Sequence, residues 1–473
     1  MTLSRREALA ALAGAGLLVG CSRVAETARN LERAPMPLPI REDDLAVATL
    51  NRFGFGPSRQ GLAQFRDLGP EQWWQVQLKP TDEEPDHLTW MISRMETQHL
   101  SAYELRDFKE EVVLFQMQQA AILRATYSPW QLRERMVDFW TNHFNINARK
   151  GIATFRKPQD EKEVSRAHAL GKFPQMVMAS AKSTAMLVYL DQQNSNETTP
   201  NENYARELLE LHTLGVEGGY TQQDVMEVAR CFTGWTEERG LLRAKGRFLF
   251  REDLHDDGEK IVLGTRIPAG GGVRDGERVV SLVSRHPATA KHVGGKLGRF
   301  FLGDDVSPKV LAKIEKTFLD TEGDIPAVMT VIHGAFPAES GPVMKRPFDY
   351  MVSAMRALDA STDAAKPVQD ALSAMGQPLY QWPMPDGYPV EAPAWTGSLM
   401  GRWKFADALA HNRLQGTSVD LPKLTSELVG HAGYIAATHH AVSAGNEVAN
   451  LLDSHELAAQ VALALSAPEM QWR

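Results

Sequence analysis

The sequence predicts a mainly α protein: a single large helical domain with a small β-hairpin insert. Apolar residues recur at three- and four-residue spacing through most of the chain, between recognisable helix start and stop signals. One stretch alternates instead. FLFREDLHDDGEKIVLG, from Phe248 to Gly264, alternates apolar and polar residues on both sides of Asp257-Gly258, which puts a hairpin near 247–265. Hydrophobic residues make up 43% of the 473, which argues against bulk disorder and leaves enough to fill a core.

The chain opens with an address. Ser4, Arg5 and Arg6 precede an apolar run from Ala8 to Gly20, about thirteen residues and too short to span a bilayer as a folded protein's helix. Residues 1–21 therefore read as a signal peptide with a lipobox, Leu18-Val19-Gly20-Cys21, and Cys21 is the expected lipidation site. The paired arginines resemble a twin-arginine export signal; an ordinary positive n-region of the general secretory route is the alternative. Residues 22–41 lack an apolar period and end in spaced prolines, as a tether does. Together these features place the protein on the periplasmic face of a bacterial membrane, lipid-anchored after export. Past Cys21 the formal charge is −9, once the +1 of Arg5, Arg6 and Glu7 is taken from −8. An acidic chain of pI about 6.0 argues against nucleic acid as a partner. Cys231 is the only other cysteine, so no intrachain disulfide framework holds the fold.

The helical domain, 42–473, begins with Leu45, Leu50 and Arg52, and Gly54-Phe55-Gly56-Pro57 reads as a helix C-cap. Ser101 with Glu104 forms a capping box ahead of Leu105, Phe108, Val112 and Phe115 at helical spacing. A second helix starts at Ser128, with Pro129 first and Gln131 third. Leu132, Met136 and Phe139 define its buried face, and His143 falls within about 20° of Leu132. Asp138, Asn142 and Arg135 lie beside that face, and Asn145 and Asn147 crowd its end. A lone histidine on an apolar face is ordinarily a satisfied core residue; this polar company raises the functional alternative.

The stretch Ser183–Trp235 carries two more helices. The first follows Pro200, capped by Asn201 or Asn203, and stops at Gly215. On a helical wheel Tyr204, Leu208 and Leu211 form its stripe, and Glu207 projects between Leu211 and Leu214. A carboxylate there needs a partner or its own proton, and a structural ion pair is the plainer explanation. Glu202, Arg206 and Glu210 make a surface staple. The second helix opens at Thr221 with Asp224 three residues on. In the hairpin, His255, Asp256 and Lys260 sit at the tip as exposed turn residues. Helices resume at His286-Pro287 and run through Lys296 and Phe300. The segment 375–403 is irregular, rich in Pro and Gly, and carries Tyr380, Trp382, Tyr388, Trp395 and Trp403. It is either pinned to the core by its aromatics or lines a pocket.

No zinc-protease, paired CxxC, phosphate-loop, nucleophile-elbow or dinucleotide motif is present, and nothing names a metal or cofactor. The runs LNRFGFGP, FWTNHFN, MLVYLD, NENYARELLELHTLG, GGYTQQDV with CFTGWT, HDDGEK and the late GYP with GRW resemble the bacterial family catalogued as domain of unknown function 1800. The resemblance covers nearly all of the chain past the tether. It implies an exported protein of no established activity whose gene often neighbours that of a second exported, sulfatase-like protein, an expected partner. Ser183-Thr184 departs from the family's pattern, which has His-Pro there.

Two functions fit. One is a cell-envelope enzyme acting on a glycan or a sulfated or peptide-linked substrate, with His143 and Glu207 as acid/base candidates, Asn142, Asn203 and Arg206 as positioning groups, and Trp382, Tyr388 and Trp395 as ligand-facing aromatics. The other is a non-catalytic periplasmic binding or assembly protein. The expectation tying these residues together is that His143 and Glu207 share one buried polar cluster.

Overall fold

The computed structural model describes residues 45–238, 246–426 and 456–473. The expected signal peptide 1–21, the lipidation site Cys21 and the tether 22–41 lie outside the described residues, within which no helix is long and apolar enough to cross a membrane. The fold is mainly α. In chain order the helices are α1 Leu45–Phe53, α2 Arg59–Gln77, α3 Asp86–Ser93, α4 Glu110–Tyr127, α5 Gln131–His143, α6 Lys157–Asp160, α7 Phe173–Lys182, α8 Thr184–Tyr189, α9 Glu202–Glu207 and α10 Gln222–Cys231. They continue as α11 Val273–Ser284, α12 Pro287–Leu302, α13 Pro308–Asp320, α14 Ile325–Ala335, α15 Pro347–Ala357, α16 Lys366–Ala374, α17 Leu399–Ala410, α18 Leu421–Ser426 and α19 Leu457–Ser466.

Several ends follow from local chemistry. Asn201 caps α9, its side chain accepting from the amides of Asn203 and Tyr204. Thr221 and Asp224 form the reciprocal capping box of α10. His286 caps α12 through Nδ1, which accepts from the Ala288 amide at 3.1 Å, and Pro287 fills the first turn. After α1 the Gly56 amide bonds the Leu50 carbonyl at 3.1 Å, a glycine-closed C-terminus. Gly56 has φ 106°, and a Cβ there would meet the Ser353 hydroxyl at 2.5 Å.

Two helices widen into π turns. The first, π1 (Glu161–Arg166), follows α6, and the second, π2 (Leu208–Thr213), follows α9. The wheel for 201–215 assumed a continuous α-helix. With i→i+5 bonding each turn holds about one more residue than in an α-helix, so His212 swings under Leu208 into the core and Leu211 moves outward to a half-exposed position.

The hairpin expectation needs correcting. Phe248–Phe250 (β2) pairs not with the strand after Asp257-Gly258 but with Trp235–Glu237 (β1). The later strand, Lys260–Val262 (β3), pairs with Thr265–Ile267 (β4) across Leu263 and Gly264, with φ 50° and 73°, the left-handed pair that a tight two-residue hairpin requires. Asp256 instead closes a local turn onto the Gly258 amide at 3.0 Å, a side-chain bond that competes with hairpin formation at Asp257-Gly258. His255 and Lys260 are buried, not exposed tip residues. A further two-stranded pair joins Ser361–Thr362 (β5) to Thr417–Ser418 (β6). Two helix starts also shift. The Ser101–Glu104 box forms but opens only a short 3₁₀ turn, and extended backbone at Phe108 delays α4 to Glu110. Helix α5 begins at Gln131, whose side chain bonds the carbonyls of Ala125 and Ser128 and the Phe55 amide.

Hydrophobic burial is divided. One large cluster gathers α1, α2, α5, α7 to α14 and the β1 residue Trp235, and a second gathers α4, α15, α16, α17 and α19. A third, small one joins Met344, Tyr388, Trp395 and Leu399, with Trp382 and Trp472 packed on it. Charged side chains fill the seam. Arg135 on α5 donates to Asp349 on α15 at 2.5 Å, both about 1% exposed.

Candidate functional site

Where the three clusters meet lies a small cavity of about 50 Å³, open on one side to solvent. Val137 belongs to the first cluster, Phe55, Phe348 and Tyr380 to the second, and Tyr388 to the third. Its polar wall comes largely from α5 and π1. Glu134, Asp138, Thr141 and Asn142 descend α5 at three- and four-residue steps, while Glu161 and Arg166 are supplied by π1. Arg346 closes the wall.

These charges pair off. Arg166 grips Glu134 with both nitrogens, at 2.7 and 2.9 Å. Arg346 bonds Asp138, and the Tyr380 hydroxyl donates to Glu161 at 2.5 Å. Burial pushes the Glu134 carboxyl up, but Arg166, Arg133 and Arg124 outweigh it and hold the group below its usual range. Asp138 goes the other way: burial raises it, Arg346 and Arg135 pull it down, and Asp349, competing for the same arginines, helps leave it above its usual range. Two wall groups have no partner among the described residues, the Thr141 hydroxyl and Arg346 Nε.

The aromatic segment is pinned to the core, and part of it also lines this cavity. Asn142 spends its amide on the loop backbone, donating to the Tyr388 carbonyl at 2.9 Å and accepting from the Tyr388 amide at 2.7 Å. Asn145 donates to the carbonyls of Trp382 and Met384 at 3.1 and 2.6 Å. A Cβ at Gly387, φ 80°, would lie 2.3 Å from the Asn142 carbonyl oxygen, so only glycine permits this approach. Trp382 donates to Asp386 at 2.9 Å and Trp395 to the Pro389 carbonyl at 2.9 Å. Of the aromatics expected to face a ligand, Tyr388 lines the cavity, while Trp382 and Trp395 are not on its wall.

His143, one residue past Asn142, points elsewhere. Its Nε2 bonds the His212 carbonyl at 3.1 Å, and its Nδ1 meets Lys296 Nζ at 3.2 Å. Since a carbonyl only accepts and an ammonium only donates, His143 is the neutral Nε2–H tautomer. Burial lowers His143 well below the usual histidine range, helped by Lys296, His212 and His292. His212 falls to about 3 and His292 to about 4, burial leading in both, and Lys296 to about 8.

Glu207 is half-buried, with no hydrogen bond among the described residues, and neither it nor His143 lines the cavity. Burial, then Glu210, raise its carboxyl, with Arg206 opposing and Asp386 adding to the rise. No hydrogen bond or ion pair joins it to His143 or Lys296 among the described residues, so direct contact does not form the expected shared polar cluster. Arg206 is a surface residue bonded to Gln222 at 2.8 Å and near Glu202 at 3.6 Å, as the staple predicts. Asn203 is exposed and reaches the Leu190 carbonyl at 3.4 Å.

Sequence reasoning missed a second polar node. Lys260 reaches Asp275 at 2.8 Å, His255 approaches the same carboxylate at 3.4 Å, and Arg230 holds Asp256 at 2.7 Å. Spacing alone gave no sign of it, because Asp275 enters from α11. At the departing position Ser183 donates to Asp160 at 2.6 Å, and Lys157 holds the other carboxylate oxygen at 2.5 Å. Among the described residues, no group of three or more His, Cys, Asp or Glu side chains is arranged to hold a metal ion. What the cavity offers chemically is two carboxylates one turn apart whose protonation is pushed in opposite directions, arginines, a free hydroxyl and aromatic faces.

The family model described as a protein of unknown function (DUF1800) matches residues 48–472. Neither a curated protein nor a solved structure matches the chain.

Proposed function

For a chain that belongs to the DUF1800 family, we propose an exported, lipid-anchored cell-envelope enzyme that works by acid–base catalysis on a glycan or sulfated glycan. The observation that carries the reading is the α5 carboxylate pair: Glu134, held ionised, and Asp138, held toward its protonated form, share one cavity wall. Opposed protonation of two neighbouring carboxyls is what glycoside chemistry requires, one to protonate the leaving oxygen and one to stabilise or activate. Tyr380 and Tyr388 offer faces for sugar rings, and Arg346 a donor for a sulfate or carboxylate substituent. His143 and Glu207 stand off that wall and have no role in this step.

The test is thermal shift and turnover with envelope glycan fragments, sulfated and unsulfated, on the full chain. Wild type is expected to gain melting temperature with a cognate fragment, and Asp138→Asn to lose turnover by about a hundredfold or more. Thr141→Val, which leaves the ion pairs intact, is expected to weaken the shift. A chain that no fragment stabilises, and whose variants match wild type, would sink the reading.

A second reading, a non-catalytic binding or assembly protein working beside a sulfatase-like exported partner, is favoured by one observation. Each carboxylate on the wall already has a cation or phenol partner. Binding that survives Asp138→Asn with no turnover in either protein would select it.

The membrane address rests on the residues around Cys21. Cys21→Ala is expected to release the protein from the membrane fraction, and Arg5→Lys with Arg6→Lys to strand precursor in the cytoplasm; fractionation and immunoblotting read both. Normal export of the double variant would remove the twin-arginine route.

A further inference from the structure

Many buried cations in this fold face a carboxylate, and others, such as Arg52 and Arg402, spend their donors on carbonyl, amide and hydroxyl oxygens. Arg135 has Asp349, Arg156 has Glu237 at 2.9 Å, Lys157 has Asp160 and Lys260 has Asp275. Lys345 is sealed, its amine against the Ser353 hydroxyl at 3.0 Å. Lys296 on α12 is different: half-buried at the edge of the core, and within ion-pair distance of no carboxylate among the described residues. Its recorded partner is His143 Nδ1 at 3.2 Å. The imidazole is itself fixed, because Nε2–H is held by the His212 carbonyl, which π2 presents.

This is the architecture of a positioned nucleophile: an amine, an acceptor that aims it, and a third group that orients the acceptor. Every element packed around the amine contributes a titratable or charged group. His143 comes from α5, His212 from π2, and His292 and Arg299 from α12 itself. Asp386 and Glu391, both exposed, come from the aromatic segment. Burial disfavours the ammonium most, the two carboxylates favour it and Arg299 opposes it, leaving the amine at about 8. His212 Nε2, buried and without a partner, adds an unspent polar atom to the same group.

We propose that Lys296 is a reactive amine, positioned by His143, that captures the carbonyl carbon of a small polar aldehyde or ketone as an imine. The neutral amine's lone pair attacks the carbonyl carbon and the π electrons move to oxygen. The nitrogen sheds both of its protons in turn, the oxygen takes up two and leaves as water, and a C=N bond replaces C=O, with no oxidant or reductant consumed. His143 is a positioning residue: its titration, pushed far below neutral, makes it an acceptor and not the proton sink. The amine's protons pass to solvent on the half-exposed side of the site, where the exposed carboxylates Asp386 and Glu391 act on it. The site is separate from the α5 cavity, so it stands or falls independently of the glycan reading.

Reductive trapping tests it. The full-length protein is treated with glyceraldehyde and cyanoborohydride between pH 6.5 and 10, and each lysine's adduct is quantified by peptide mass spectrometry. At pH 8 Lys296 is expected to label roughly tenfold or more faster than exposed Lys316 and Lys366, because an amine of pKa about 8 is half neutral there while an ordinary lysine is less than about one per cent neutral. Its rate should level off above pH 8 to 9 while the others keep climbing. His143→Gln is expected to move that plateau or slow Lys296 alone, with Lys316 unchanged as an internal control. Labelling of Lys296 no faster than Lys316 in wild type overturns the proposal, whether or not the variant folds. So does an unchanged profile in a folded His143→Gln protein.

Discussion

Asp349→Asn is expected to cost about 3 to 5 kcal/mol, enough to take much of a domain's stability, because it leaves buried cations facing one another. Asp349 is 1% exposed and its carboxylate serves the whole seam between the two large clusters. One oxygen accepts from Arg135 at 2.5 Å; the other accepts from the Arg346 amide at 3.2 Å and lies 4.0 Å from Arg473 Nε. Burial alone would raise this carboxyl, but Arg135, Arg346 and Arg473 hold it far below its usual range. Removing the charge therefore does more than delete a bond. Arg473 is already lowered by burial and by Arg135, and Lys345 is lowered to about 7, burial leading, with Asp349 the main opposing influence. Asp370→Asn is the matched control, since its pair with Lys366 is exposed on both sides and worth well under about 1 kcal/mol. Chemical denaturation of the two variants checks the contrast. Equal midpoints would mean that the seam is not held by Asp349.

How much of this was legible in the sequence depends on whether a signal was local. The caps at Asn201, Thr221 and His286, the glycine end after α1 and the apolar face of α5 are all local, and the structure has them. The π turns were not legible, because a wheel assumes one angular step. That error hid His212, which lies in plain view in NENYARELLELHTLG. The hairpin was misplaced for a related reason. Alternation around Asp257-Gly258 is a local pattern, whereas the true partner of β2 is β1, which lies before it across residues 238–247. Side-chain roles failed where partners came from afar. Asn142 was read as a substrate-positioning group from its neighbourhood on α5, yet its amide is spent on Tyr388, 246 residues away. The carboxylates of the cavity wall were passed over because Glu134 and Asp138 look, on α5 alone, like the polar flank of an amphipathic helix. Only Arg166 from π1 and Arg346 before α15 reveal that this flank is buried.

Stability is expected to rise continuously from pH 4.5 to pH 9, an unusual profile with a stated cause. Four histidines, His143, His212, His292 and His333, are all lowered by burial. For each, the unfolded chain takes up a proton near pH 6.5 and the folded chain does so only well below, so acid favours unfolding and stability falls as pH drops through that interval. His212, 2% exposed and lowered to about 3, is alone expected to lose roughly 2 to 3 kcal/mol between pH 6.5 and 4.5, at about 1.4 kcal/mol per unit. Glu134 and Asp349, held below their usual ranges, act in the same direction at the acid end; the raised Glu207 and Asp138 oppose them there. Above neutrality the buried lysines continue the trend. Lys345 at about 7 and Lys296 at about 8 are proton-free in the folded state before the unfolded chain releases the same protons, at about 10.5. Between those values the unfolded state binds more protons, so stability climbs with pH. The rise should slow above pH 9, where the Cys231 thiol, pushed up to about 12 by burial, begins to oppose the two lysines, and reverse near pH 10, where Tyr204, Tyr350, Tyr380 and Tyr388, all raised by burial, ionise in the unfolded chain but not in the folded one. Melting temperatures at half-unit steps check the profile, and His212→Asn should flatten its acid limb while leaving the limb above pH 7 unchanged. A plateau from pH 5 to 9 would show that these imidazoles and amines reach water in the folded protein.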